Sequence, residues 1–288
     1  MKNIVLVIGG AGFVGSHLCE ELFKSGNYDV YSLDNYFNGL KSNHISGVNY
    51  IEGSSKNIYD LINFIPSLVF HLGEYSRVEQ SFDDFDDVWD FNVLGTKKVV
   101  EFCSERNAKL VYAGSSTKFG DKDGGRDASP YAWSKSKNTE FIMNYSVWFK
   151  LKYAIVYFYN VYGGRERQTG KYATVIGIFK NLYKTKQPIT IVKPGNQQRN
   201  FTHINDIVRG LILTGEKGYG DGYGIGSNES FSVLEAAQMF KDNIVFLEER
   251  RGNRKTAELI TDKTIGLGWK AEYKLKDHIV DFKERNKV

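Results

Sequence analysis

Tyr131 and Lys135 stand four residues apart in the stretch Tyr131-Ala132-Trp133-Ser134-Lys135. On a helix that spacing sets a phenol and an ammonium on one face, the smallest kit from which a tyrosine base can be made. A free phenol titrates near pH ~10, so working near neutrality takes about three units, or roughly 4 kcal/mol, of electrostatic help from neighbouring cations. The same spacing also describes a solvated helix face, and its meaning depends on what accompanies it.

A second chemical feature opens the chain. Gly9, Gly12 and Gly15 follow an apolar strand-like run, Asn3–Ile8, and lead into a helical pattern. In that context small residues let backbone approach a pyrophosphate, and the helix N-terminus offers N–H groups and a positive dipole end. Asp34 lies about 20 residues beyond the glycines, at the end of a second apolar run. A carboxylate there accepts hydrogen bonds from an adenosine ribose and repels a 2′-phosphate, which favours NAD over NADP; Asp34-Asn35 is also a good turn start.

The elements that hold these residues alternate. Short β-rich runs at Asn3–Ile8, 29–33, Asn49–Glu52, Leu68–His71, 109–113 and 153–159 are separated by helical patterns, notably at 12–24, 82–106 and 131–150. That alternation predicts an α/β fold, a Rossmann-type doubly wound parallel sheet with right-handed crossovers. After residue 162 the pattern loosens into glycine-rich loops, with helices expected near 173–183 and 232–241 and a turn at Lys193-Pro194-Gly195. This reads as a smaller, irregular C-terminal substrate lobe. The expected division is 1–162 with a returning segment near 203–225 for NAD, and 163–202 with 226–288 for the substrate.

Composition narrows the function classes. At 288 residues, 41% hydrophobic and 25% charged, the chain is ordinary globular protein with no low-complexity tract or repeat. The net charge of +4 comes from cations interspersed with acids, so nucleic acid is not an expected partner, nor is a membrane. Cys19 and Cys103 are too few for a disulfide framework and are expected in the core, consistent with a reducing, cytoplasmic setting. No His/Cys/carboxylate cluster has metal-ligand spacing, so no metal is expected.

Taken in order, Gly9-Gly-Ala-Gly-Phe-Val-Gly-Ser-His-Leu18, Leu33-Asp-Asn35, Val69-Phe-His-Leu72, Asn92-Val-Leu-Gly-Thr96, Ser115-Ser116-Thr117, Tyr131 to Lys135, Asn160-Val-Tyr-Gly163, Gln198-Arg-Asn-Phe201 and Leu267-Gly-Trp269 span nearly the whole chain. With these motifs the sequence resembles the extended short-chain dehydrogenase/reductases, specifically the NAD-dependent nucleotide-sugar epimerase/dehydratase group. The resemblance implies a catalytic set of Tyr131, Lys135 and Ser115. It implies NAD contacts from Gly9, Gly12, Phe13, Val14, Gly15, Asp34, Asn35, Leu72, Gly73, Asn92 and Lys135. It also implies nucleotide-sugar contacts from Arg77, Ser116, Thr117, Asn160, Arg199 and Arg250, the arginines clamping the diphosphate through their planar forks. Trp269 and His71 read instead as packing residues, His71 as a satisfied, mostly buried imidazole. The helices beginning near Phe82 and Tyr131 correspond to the family's four-helix dimer interface, and Phe141, Tyr145, Val147 and Trp148 supply apolar surface for a homodimer.

Three departures from the family pattern stand out. Gly53-Ser54-Ser55 replaces Gly-Asp-Ile, removing a carboxylate expected at the adenine. His71-Leu-Gly73-Glu74 replaces His-Leu-Ala-Ala, placing a charge near the cofactor edge. The link from Gly120 to Pro130 is short. The family's 4,6-dehydratases carry Thr-Asp-Glu where this chain has Ser115-Ser116-Thr117, and decarboxylating relatives usually keep a glutamate there. Hydroxyls alone favour reversible oxidation without elimination: a 4-epimerase. A 4,6-dehydratase or 4-ketoreductase of the same family is the alternative, and a non-catalytic NAD-sensing protein is a further one.

Overall fold

The computed structural model describes residues 2–116, 125–248 and 258–286. Its first half alternates as the apolar runs require: β1 (Asn3–Ile8), α1 (Phe13–Lys24), β2 (Tyr28–Asp34), β3 (Asn49–Glu52), α2 (Ile58–Leu61), β4 (Leu68–His71), α3 (Phe85–Val88), α4 (Thr96–Glu105), β5 (Lys109–Gly114), α5 (Pro130–Phe149) and β6 (Tyr153–Phe158). The second half carries β7 (Val161–Tyr162), α6 (Val175–Lys184), β8 (Ile189–Val192), β9 (Gln198–Asn200), β10 (Thr202–His203), α7 (Ile204–Lys217), β11 (Gly220–Ile225), β12 (Ser230–Ser232), α8 (Val233–Gln238), β13 (Ile244–Leu247), α9 (Asp262–Gly266) and α10 (Leu275–Arg285).

Among the described residues the main sheet has seven strands in the order β11-β6-β5-β4-β1-β2-β3, all paired in parallel. The order reverses its sense between β1 and β4. At that switch point the helices on either side of the sheet diverge and leave a crevice beyond the carboxyl ends of the strands. Parallel strands covered on both faces need apolar side chains on both, and β1 shows why its run is continuous. Val5 and Val7 point to one core with Leu18, Cys19 and Leu22 of α1 and Ile207, Val208 and Leu211 of α7. Leu6 and Ile8 point to the other, with Val99, Val100 and Cys103 of α4. Both cysteines are buried and free, and Trp269 joins the first core with its indole N–H donated to the Asp206 carbonyl at 2.9 Å.

Two expected helices differ. The 82–106 stretch is not one helix: it breaks into a 3-10 turn at Glu79–Phe82, α3, π-helical turns at Trp89–Gly95 and then α4. The cause is tertiary. Asn92 is bonded to the backbone of Tyr75 and to Ser134, and Gly95 lies so close to Ser55 that a Cβ would sit 2.4 Å from the Ser55 hydroxyl. The helix expected at 232–241 is the shorter α8, begun by a Ser232/Glu235 capping box.

Among the described residues the strands outside the main sheet form three two-stranded pairs around a third core that includes Phe179, Ile189, Ile191, Phe201 and Phe240. Against it lies a buried polar cluster. Lys180 pairs with Glu166, both almost wholly enclosed. His203, Tyr162 and His278 form a ring triangle with centroids 5.1–5.3 Å apart, and His203 also stacks on Tyr273 at 4.4 Å. Burial, reinforced by Lys180, lowers His203 to about 4 and His278 to about 3.

A histidine whose folded pKa lies below its unfolded value of ~6.5 binds fewer protons when folded. Its contribution to stability is complete above pH ~6.5 and is lost as pH falls toward about 4. The melting temperature is therefore expected to fall steadily between pH 7 and pH 5, and His278→Gln to show a shallower fall; scanning calorimetry across that range checks both.

Candidate active site

The crevice at the switch point is floored by the turn after β1. Gly9 adopts φ +85°, and a Cβ on it would lie 2.7 Å from the Gly73 Cα; a Cβ on Gly15 would lie 2.0 Å from the Gly9 carbonyl oxygen. The turn therefore packs directly on the Leu72-Gly73 loop after β4, where Leu72 N–H donates to Ile8 O at 2.9 Å. Among the described residues no side chain caps the N-terminus of α1, which leaves the backbone end at Phe13 and Val14 turned to whatever anion enters. Asp34 is buried at the end of β2, where its carboxylate accepts from Ala11 N at 2.9 Å and Tyr36 N at 2.8 Å. Burial raises it above the ordinary carboxylate range, against the pull of those two N–H groups. Asn35 is exposed beside it and accepts from Phe37 N at 3.1 Å. A cradle too tight for a Cβ, an uncapped helix end and a strand-end carboxylate together fit a dinucleotide. At the adenine side Ser54 is engaged locally, accepting from Lys56 N at 3.4 Å as the cap of a 3-10 turn.

The opposite wall is α5. Ser129 caps it, accepting from Ala132 N at 3.1 Å, and Pro130 begins it. Tyr131 lies in the first turn, half-buried, and Lys135 one turn on, buried. Lys135 is held inward: its ammonium donates to the Ala113 carbonyl at 2.6 Å and to the carboxylate of Glu74. The pair is enclosed, with side-chain exposures of 6% and 2%. Glu74 also accepts from Thr96 Oγ1 at 2.7 Å, Asn138 Nδ2 at 3.0 Å and Tyr112 OH at 3.1 Å. Asn138 donates to Asn92 O at 2.7 Å, and Asn92 donates to Ser134 Oγ at 2.9 Å. His71, expected as a satisfied imidazole, is fully buried and only half satisfied: Nε2 meets Thr96 Oγ1 at 3.0 Å, while Nδ1 has no partner among the described residues. Its burial lowers it to about 4, so it is neutral.

The remaining expected residues divide by place. Ser115 is buried immediately beyond β5, two residues past the carbonyl that Lys135 holds, and Ser116 is partly buried beside it. Arg77 reaches across to the second half of the chain, its guanidinium donating to Tyr172 O and lying 5.9 Å from the Tyr172 ring. Its Nε is buried without a partner among the described residues. Asn160 is exposed at φ +36°, and its carbonyl accepts from Thr202 N at 3.2 Å. Arg199 sits on β9 opposite Phe231 of β12, donating to Gln198 O at 2.8 Å. Thr117, Arg250 and residues 120–124 of the 120–130 link lie outside the described residues.

Asn138, Thr96 and Tyr112 were not among the expected site residues, although all three hold Glu74. The signal available was Asn138, a polar residue three positions after Lys135 on the face that α5 turns inward. Among the described residues there is no group of three or more potential metal ligands, and no helix long and apolar enough to cross a membrane.

A doubly wound sheet with a glycine turn at its switch point, faced by a tyrosine and lysine one turn apart, defines a dinucleotide-dependent enzyme of the extended short-chain dehydrogenase/reductase class. The chain belongs to the NAD dependent epimerase/dehydratase family, whose model matches residues 5–226, and its cofactor is NAD. It is 31% identical, over 96% of each chain, to a Methanocaldococcus jannaschii protein provisionally named UDP-glucose 4-epimerase. It is 27% identical to a dTDP-D-glucose 4,6-dehydratase of Bos taurus, over 96% of this chain and 86% of that one. Among solved structures it superimposes on the UDP-glucose 4-epimerase of Thermus thermophilus in complex with NAD, at TM-score 0.87 and 25% identity over 99% of each chain.

Removing the ammonium while leaving its buried carboxylate strands a charge, which typically costs about 3–5 kcal/mol. Lys135→Met is expected to lose stability on that scale in chemical denaturation, whereas Tyr131→Phe, which strands nothing, is expected to stay within about 1 kcal/mol of the parent.

Proposed function

We propose that the protein is a nucleotide-sugar 4-epimerase. The observation that carries this reading is the chemistry of the wall facing Tyr131. The residues after β5 are hydroxyls, and the carboxylate nearest to Lys135, Glu74, has both oxygens turned to inward partners. A 4,6-dehydratase needs an acid free to protonate a departing hydroxyl; an epimerase does not.

In this reading Tyr131 takes the proton of the sugar 4-hydroxyl, directly or through Ser115, and returns it after inversion. Lys135 holds the cofactor ribose and, together with the positive charge of the oxidised nicotinamide ring, favours the phenolate. Bound NAD supplies the hydride acceptor and donor. Arg199 and Arg250 grip the diphosphate, Asn160 binds beside it, and Ser116, Thr117 and Arg77 line the sugar's path. With the diphosphate fixed, the ketosugar turns about its phosphate linkage and is reduced on the opposite face. Residues 1–162 with 203–225 are assigned to NAD, and 163–202 with 226–288 to the nucleotide sugar. The dehydratase remains the second reading, favoured by relatives such as the bovine enzyme.

The test is to incubate the protein with UDP-, GDP-, CDP- and dTDP-sugars without added cofactor and to resolve products by NMR. Inversion at C4 with unchanged mass is the expected outcome, and loss of water overturns it in favour of the dehydratase. Tyr131→Phe is expected to lower turnover by roughly 10²–10⁴-fold while still binding NAD.

The working form in this reading is a homodimer. Trp89 stacks on Trp133 across the two candidate interface helices, centroids 6.1 Å apart. Val147 and Trp148 stand 70% and 63% exposed, while Phe141 and Tyr145 pack on the chain's own core. Light scattering is expected to give twice the chain mass, and Trp148→Glu to shift it toward the single chain.

A further inference from the structure

Glu74 has no counterpart among the hydroxyls and amides expected to line a cofactor groove, and its environment gives it a task. It lies two residues after Leu72, on the loop that packs against the Gly9 turn, and its carboxylate is bonded to the ammonium of Lys135, the residue that holds the cofactor ribose in the proposed function. Of the titratable groups around it, His71 is neutral, and the Tyr112 phenol is held protonated by burial. Among the described residues Lys135 and Glu74 are therefore the two formal charges of this network, opposite in sign and in direct contact. Two of the ammonium's three N–H bonds point inward, to Glu74 and Ala113.

An oxidised nicotinamide ring carries a positive charge that the reduced ring lacks. A lone lysine beside the groove would penalise the oxidised form alone, and a carboxylate paired with that lysine removes the penalty. We infer that Glu74 is a positioning residue that anchors Lys135 from behind and, by cancelling its charge, weights the bound cofactor toward NAD⁺. An enzyme that must hand back what it takes from its sugar gains from that bias, because a cofactor trapped in the reduced form ends the cycle. The inference rests on the cofactor seat and is indifferent to which sugar reaction follows.

The experiment is a pair of equilibrium titrations, NAD⁺ and NADH separately, against the parent, Glu74→Gln and Lys135→Gln, reading the ratio of Kd for NADH to Kd for NAD⁺. In an effective dielectric of about 20, one charge changes such a ratio by on the order of tenfold or more at separations up to about 12 Å. Glu74→Gln, which leaves the ammonium uncompensated, is expected to lower the ratio by about that factor, and Lys135→Gln, which leaves the carboxylate uncompensated, to raise it. A purely structural Glu74 would weaken both forms alike and leave the ratio where it was; that result overturns the inference. Should Glu74→Gln fail to fold, the double variant Glu74→Gln/Lys135→Gln decides: a ratio equal to the parent's supports the assignment, and a higher one, which removal of an unopposed lysine would give, ends it. A parent protein that bound neither form would sink the cofactor assignment itself, and this inference with it.

Discussion

A carboxylate and an ammonium taken out of water together must satisfy one another and every remaining lone pair and N–H, because either left alone costs more than the fold can spare. Glu74 and Lys135 impose that condition on this protein. The partners that meet it come from the loop after β4, from Thr96 at the start of α4, from Tyr112 and Ala113 on β5, and from Lys135 and Asn138 on α5. Four separate elements are thus brought to a common point by donors and acceptors that have few alternatives. The same point lies beside the switch between β1 and β4, where the sheet opens its crevice.

That convergence orients α5. A helix held only by its apolar stripe can rotate by tens of degrees at modest cost, since dispersion contacts are non-directional. Hydrogen bonds from Lys135 and Asn138, on successive turns of one face, do not permit this. The first turn of α5, with Tyr131, therefore takes its bearing from bonds made one and two turns further along. The π-helical turns before α4 belong to the same arrangement. Asn92 must reach the Tyr75 backbone and Ser134 at once, and an extra residue per turn is how the chain brings its side chain there.

The sheet was legible in the sequence because its evidence is local. Each strand of the first half is a short apolar run that needs no knowledge of its partner, and the observed bounds differ from the expected ones by a residue or so at the ends. The glycine turn was legible for the same reason: three glycines at fixed spacing after a strand state their own purpose. The polar network was not. Glu74 and Lys135 are 61 residues apart in the chain, and Asn92 and Ser134 are 42 apart; a single charge in a loop says nothing about which distant ammonium it will meet. The unbroken helix expected over 82–106 failed on the same ground, since periodicity reports an amphipathic face but not a long-range bond that diverts the backbone. His71 shows the limit from the other side, its burial evident from Val-Phe-His-Leu but its unmet Nδ1 visible only once its neighbours are placed.

Such an unmet atom fits the economy of the whole wall. A neutral imidazole with one nitrogen unbonded among the described residues costs far less than an unpaired ion, and it sits where a second cation would otherwise disturb the balance between Glu74 and Lys135. Were His71 protonated, its charge would join that of Lys135 and the network would turn net positive; burial keeps it neutral through the physiological range. Among the described residues the charge of this wall is therefore set by Glu74 and Lys135, with His71 beside them staying neutral, and it is decided by contacts inside the protein.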